Sequence, residues 1–177
     1  MRCVSRRVHK VEMGREREVR EQKIKIGGII QKRNLAKIGV MSIPDRPGVA
    51  GAIFSALGAK GINIPFIVHT IDLHNLDNIV ICVAQEDLTA ALEVLNTVRE
   101  TVGAEEIVYE GEVGIVSMFG PHFGERPGIA GVMFSALASA DINILAISTS
   151  ISSTSCLIDA SDMDEAVQAL EEVFDLP

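Results

Sequence analysis

The residues best suited to chemistry sit in a turn. The segment Pro44-Asp45-Arg46-Pro47-Gly48 breaks an alternating run, KIGVMSI, and opens a segment with helical spacing. Proline near the first helical turn loses nothing by lacking an N–H, and the glycine beside it lets a ligand approach the backbone. Free N–H groups and the positive dipole end of such a helix form a natural seat for a carboxylate. Asp45 is placed to receive an ammonium group, and Asn63, at the start of the next strand-like run, offers both donor and acceptor. Carboxylate and ammonium on one small molecule describe an amino acid. The same residue types also serve purely structural turns, and the pattern alone leaves both readings open.

The turn is written twice. Arg46 to Ile64 reads RPGVAGAIFSALGAKGINI and Arg126 to Ile144 reads RPGIAGVMFSALASADINI, identical at 12 of 19 positions with a constant offset of 80. A period of that length is a duplicated small domain, since solenoid repeats run to roughly 20–50 residues. Each copy reads as strand, helix, strand, strand, helix. In the first, KIGVMSI is followed by a helix with Val49, Ile53 and Leu57 on one face, the long strand INIPFIVHTIDL, the strand IVICVA, a helix opened by Asp87 and a fourth strand EEIVYEGEV. The second repeats this through INILAISTSI and SCLIDA to a final helix that Ser161 and Asp164 start as a weak capping box. It then ends without a fourth strand, whereas the spare segment KIKIGGIIQKRN precedes the first copy. An unpaired sheet edge would stay exposed unless this segment fills the gap.

The fold class expected is α+β: two ferredoxin-like βαββαβ units, the first inserted into the second, with helices on one face of antiparallel sheets. The boundaries expected are a charged basic arm over 1–23, unit 1 over 35–112, and unit 2 over 24–34 plus 113–177. Long apolar strands point to further burial against another copy, hence a homodimer.

Charge divides the chain. Residues 1–37 hold 12 of the 16 Lys and Arg with 4 acids, leaving 4 basic and 20 acidic residues for the remainder. An acidic body disfavours nucleic acid and anionic lipid, and the arm has no aromatic residue for base stacking. The arm reads as a solvated or docking segment. No apolar stretch is long enough to span a bilayer, and charges at the N-terminus replace the apolar region that a secretory signal needs, so a cytoplasmic location is expected. Cys3, Cys82 and Cys156 lack paired spacing, which suits free thiols in a reducing compartment and no zinc site.

The doubled D-x-P-G-V-A…F-x-A-L…G-I-N-I pattern, followed by I-S-T-S and S-C-L-I-D, resembles the tandem ACT domains of the aspartokinase regulatory region. The resemblance covers about residues 26–177. It implies that Asp45, Arg46, Pro47, Gly48, Val49, Ala50, Asn63 and Ile64 form one effector pocket, and that Gly128, Ile129, Ala130, Asn143 and Ile144 form its counterpart or only pack an interface. Ser148, Thr149 and Ser150 match a hydroxyl-rich strand of that family. Several positions depart from it: His69 replaces a usual glutamine, Pro65 an acid, and Ile151 a glutamate, and the second turn reads FGPHFGER. These differences bear on which effector is selected, and His69 adds a group able to sense pH.

The lysine-, phenylalanine- and glycine-rich nucleotide motif of that family's kinase domain does not occur in the sequence, so no catalytic activity and no cofactor are expected. The resemblance implies an allosteric protein or subunit that senses a small amino acid such as lysine or threonine and acts on a kinase or another amino-acid-biosynthesis enzyme in trans. The alternative is a scaffold that dimerises without binding and docks a partner through its basic arm. A metal hydrolase built from His69, Asp72, His74 and Asp77 is a third and weaker option, because strand and turn residues must converge.

Overall fold

The structure, a computed structural model, describes residues 23–121, 123 and 127–177. The arm up to residue 22 and His122, Gly124, Glu125 and Arg126 of the second turn lie outside the described residues. A two-residue strand β1 (Ile24–Lys25) leads to β2 (Gly28–Pro44), α1 (Val49–Ala59), β3 (Phe66–Ile71), β4 (Leu76–Ala84) and α2 (Leu88–Val102). Then follow β5 (Glu106–Phe119), α3 (Ile129–Ser139), β6 (Ala146–Thr149), β7 (Ser153–Asp159), α4 (Met163–Val173) and β8 (Phe174–Asp175).

Six strands form one antiparallel sheet in the order β3-β4-β2-β5-β7-β6. Strands β2 and β5, of 17 and 14 residues, are each long enough to serve both repeats. Gly28 to Lys32 pairs with Ile115 to Phe119, while Leu35 to Pro44 pairs with β4 and Lys37 to Met41 with Glu106 to Glu110. The front of β2 is thus the fourth strand of the second copy, and its back is the first strand of the first copy. Strand β5 does the converse. The chain builds two ferredoxin-like units, the first inserted into the second, that share one sheet.

Where the halves meet, the register slips between Lys32 and Leu35 and again between Leu35 and Lys37. Asn34 and Glu112 there take φ of 56° and 57°. An extra residue exchanges the faces of every residue beyond it. Ile29 and Met118 therefore pack against α3 and α4, and Ala36, Ile38 and Val40 pack against α1 and α2, so all four helices cover one face. On the other face Leu35, Phe66, Cys82, Val113, Ile115 and Leu157 form a third buried cluster, over which the edge strands β3 and β6 approach each other. Much of the face expected to need a second copy is buried within one chain. Ile67, Ile71 and Ile147 on those edge strands remain exposed.

The helices follow their apolar spacing. Helix α1 buries Val49, Ile53 and Leu57, and α3 buries the equivalent Ile129, Met133 and Leu137. Two sequence expectations need correction. The two Ile-Asn-Ile segments are not strand: Ile62 and Ile142 donate their N–H groups back to Leu57 O and Leu137 O at 3.2 and 3.0 Å, closing the helix ends, and β3 and β6 begin later. Asp87 does open α2: it stands at the N-cap position at the end of a single 3₁₀ turn, Gln85–Asp87, with no side-chain cap bond. Ser161 does not cap α4: its N–H and Oγ–H both donate to Asp159 Oδ1 at 2.9 and 2.6 Å, inside the turn Ala160–Asp162.

Cys82 and Cys156 are free and buried, and burial pushes both thiols up to about 12. Unfolded thiols lose their protons near the ordinary value of 9.0, whereas the folded ones keep them, so stability falls as pH rises above that value. With Cys3 replaced by serine, a disulfide reagent at pH 8.5 is expected to label no thiol in the native protein and two in guanidinium. Because β2 and β5 belong to both units, unfolding is expected as one transition. Leu57→Ala, at a fully buried position, should lower stability by about 2–5 kcal/mol while keeping that single transition in a denaturant titration. Two separate transitions would contradict the shared-strand account.

Candidate functional site

Helix α1 starts with Gly48 at φ 99°, a left-handed conformation that favours glycine, and no side chain caps it. The first helical bond is Ala52 N–H to Gly48 O at 2.9 Å, and Val49 N–H reaches Arg46 O at 3.5 Å. The N–H groups of Ala50 and Gly51 have no backbone acceptor among the described residues. A cavity of about 460 Å³ opens on this turn, lined by Asp45, Arg46, Pro47, Gly48, Val49, Ala50 and Gly51 from the loop and helix and by His69 and Asp77 from the sheet. Arg46 is turned aside, its Nη2 donating at 2.5 Å to Thr101 O at the C-terminal end of α2.

Strand parity brings the sheet residues here. His69 pairs with Ile79 and Ile71 with Asp77, so His69 and Asp77 share the face of Ile79, Ile81 and the helices, at the end where α1 begins. Asp77 is 2% exposed. Its Oδ1 has no hydrogen-bond partner among the described residues. His69 Nε2 lies 3.3 Å from that oxygen, near enough for a charge interaction but without hydrogen-bond alignment. Asp72 is occupied elsewhere, accepting the N–H groups of His74 and Leu76, which hold its carboxyl below the usual range. No cluster of three or more His, Cys, Asp or Glu side chains among the described residues is arranged to hold a metal ion.

The structure separates some residues that the sequence grouped. Asn63, exposed, and Ile64, half-buried, follow the far end of α1 and do not line the cavity. The helix between them and Gly48 is about 16 Å long. In the second copy Gly128 repeats the left-handed start at φ 93°, with Ile129 and Ala130 behind it, and the residues just before Pro127 are outside the described set. Asn143 and Ile144 again follow the far end of the helix, and Ser148 and Thr149 lie on the edge strand β6. By sheet register Thr149, paired with Thr154, stands where the first copy has His69 paired with Ile79, and the strand pairing of the second copy ends there, short of a counterpart to Asp77. The two turns therefore differ chemically: the carboxylate belongs to the first copy.

Asp77 carries a signal that a closer reading of the sequence would find. In LDNIVICVA it falls in step with Ile79, Ile81 and Val83, an acid on the buried face of a strand. A larger cavity of about 790 Å³ lies at the two bulges, between Lys32 to Leu35, Ala84 to Glu86, Glu112 and Asp159 to Ser161. Its charged side chains are exposed, Arg33 pairs with Asp164, and Asp159 is satisfied by Ser161. It offers no buried polar group awaiting a partner.

Two regions match ACT-domain profiles, residues 38–100 and 116–174. The regulatory subunit of aspartate kinase from Thermus thermophilus, solved in a ligand-free form, is 29% identical with a TM-score of 0.77, covering 85% of this chain and 99% of that one. A structure of aspartokinase alpha and beta subunits is 32% identical with a TM-score of 0.76, covering 84% of this chain and 97% of that one. The aspartokinase of Pseudomonas aeruginosa is 35% identical over 161 residues, which are 91% of this chain but only 39% of that protein. The chain thus spans well under half the length of its curated relative. With paired ACT profiles and near-complete coverage of solved regulatory chains, this chain belongs to the ACT-domain family of aspartokinase regulatory regions.

Proposed function

We propose that the chain is a non-catalytic, cytoplasmic regulatory subunit that binds a small amino acid, lysine or threonine, and passes its occupancy to an aspartokinase catalytic chain. The observation that carries the reading is the cavity at the start of α1. Its free amide groups suit a carboxylate, and its two acids, Asp45 and Asp77, suit an ammonium group. The near-complete coverage of the Thermus thermophilus regulatory subunit supports a regulatory role. The exposed Ile67, Ile71 and Ile147 on the edge strands support a homodimer that covers them. We place the first unit at residues 35–112 and the second at 24–34 plus 113–177. No helix among the described residues is long and apolar enough to cross a membrane.

Regulation requires that the effector bind one arrangement of the complex better than another, and the effect is limited to that difference in affinity. The direct test is a thermal-shift panel of the common amino acids. At 100 times its dissociation constant an effector adds about 2.7 kcal/mol, which in a chain of this size raises the melting temperature by roughly 5–10 °C. Gly51→Leu is expected to abolish that shift. Gly51 lines the cavity in the first turn of α1, and a Cβ there meets nothing within 4 Å, so the substitution fills space without straining the fold. If no amino acid shifts the native chain at millimolar concentration, the reading fails.

A further inference from the structure

We propose that Asp77 receives the ammonium group of the effector in this cavity, and that His69 competes for the same carboxylate oxygen, so that binding weakens toward acid pH. The assignment rests on the effector site above. It goes beyond that site by naming the acceptor and a second cation with which the ligand must contend.

A buried carboxylate oxygen without a donor is costly, because desolvation is not offset by any hydrogen bond. Asp77 sits in that condition at the inner wall of a cavity whose outer wall is a row of amide N–H groups. An amino-acid ligand supplies what each wall lacks: its carboxylate takes the amides and its ammonium takes Asp77 Oδ1. Asp45 is exposed at the mouth, where water already solvates it, and so has less to gain from an ammonium partner.

The charged groups that face the cavity are few. From the loop come Asp45 and Arg46, from β3 His69, and from β4 Asp77. Arg46 is bound to Thr101 O, and Asp72 is held in its own turn. His69 remains as the internal competitor, 3.3 Å from Asp77 Oδ1 with its side chain 39% exposed. A charged imidazole at that distance is a cation beside the carboxylate, so a ring that takes up a proton in acid competes with an ammonium group for the same oxygen.

Calorimetric titration of the full chain with L-lysine and with L-threonine, at pH 8.0 and pH 5.5, tests the assignment on native protein, Asp77→Asn and His69→Gln. Native protein is expected to bind one of the two roughly tenfold more weakly at pH 5.5 than at pH 8.0. In His69→Gln the affinities at pH 8.0 and pH 5.5 should agree within about threefold, the pH dependence being lost. Asp77→Asn should bind about 10- to 100-fold more weakly at both pH values, the range expected for losing a hydrogen bond to a charged group. Without ligand, Asp77→Asn should melt no lower than native, because the carboxylate it replaces leaves a buried oxygen without a hydrogen-bond donor. Native-like affinity in Asp77→Asn, or an unchanged pH slope in His69→Gln, overturns the proposal and leaves the cavity reading intact. A ligand-free Asp77→Asn that melts well below native makes Asp77 a structural residue and overturns it too. No binding of either amino acid to native protein at either pH overturns the proposal together with the site.

Discussion

The structure depends on the pairing of β2 with β5. These strands run antiparallel through the middle of the sheet, and each hands over from one unit to the other along its length. Both handovers need a residue on the left-handed side of backbone space, Asn34 and Glu112. Asparagine tolerates that conformation through local hydrogen bonding, while glutamate is less suited to it. In exchange, each strand swaps faces at its midpoint and both pairs of helices reach the same side of the sheet. Without the swap, one helix pair would lie on the face where Leu35, Val113 and Ile115 now pack together, and that third cluster would not form.

This pairing also explains how much of the fold could be read from the residues. The duplication, the helix faces Val49-Ile53-Leu57 and Ile129-Met133-Leu137, and the missing fourth strand are local or countable features, visible as spacing. The bulges are not, because face exchange is decided by what lies across the sheet and not by the strand itself. The same limit applies at the Ile-Asn-Ile segments, which have strand composition but close their helices through Ile62 and Ile142 N–H groups. Ser161 looked like a cap by its spacing from Asp164, yet Asp159 lies closer and a carboxylate is the stronger acceptor. The candidate site was legible in its loop and helix half, Asp45 to Ala50. Its sheet half depends on β3–β4 register, which places His69 and Asp77 beside that loop and leaves Asn63 a helix length away.

The two copies have kept one geometry and lost one chemistry. Gly48 and Gly128 have nearly the same φ, 99° and 93°, and each starts an 11-residue helix with no side-chain cap. Behind these matching turns the sheet differs: the first copy carries His69 and Asp77, whereas the second carries Thr149 at the register of His69 and its strand pairing ends before any position equivalent to Asp77. The turn is as much a folding element as a binding one, since the reversal from strand to helix needs its glycine. The Asp77 oxygen Oδ1 makes no hydrogen bond among the described residues that would give it such a duty. Asp77 is flanked by strands on both sides, at a position where threonine or valine would pack without an unmet hydrogen bond.

A buried carboxylate oxygen without a hydrogen-bond donor makes a poor fastening and a sensitive one. Its free energy changes steeply with whatever donor arrives, because the surrounding dielectric is low and the site is already ordered. Asp77 pairs in register with Ile43, near the end of β2, the strand whose opening residues belong to the second unit. A donor that reaches Asp77 therefore acts one strand away from the element both units share. Coupling between sites needs contiguous packing with more than one arrangement, and the slipped register at Val40 to Ile43, where Ser42 sits at φ 53° with its N–H on Asn78 Oδ1, is a strained joint in that path. The acid beneath the turn and the irregular strand beside it thus form one connected piece of structure, leading from the cavity to the shared pair of strands.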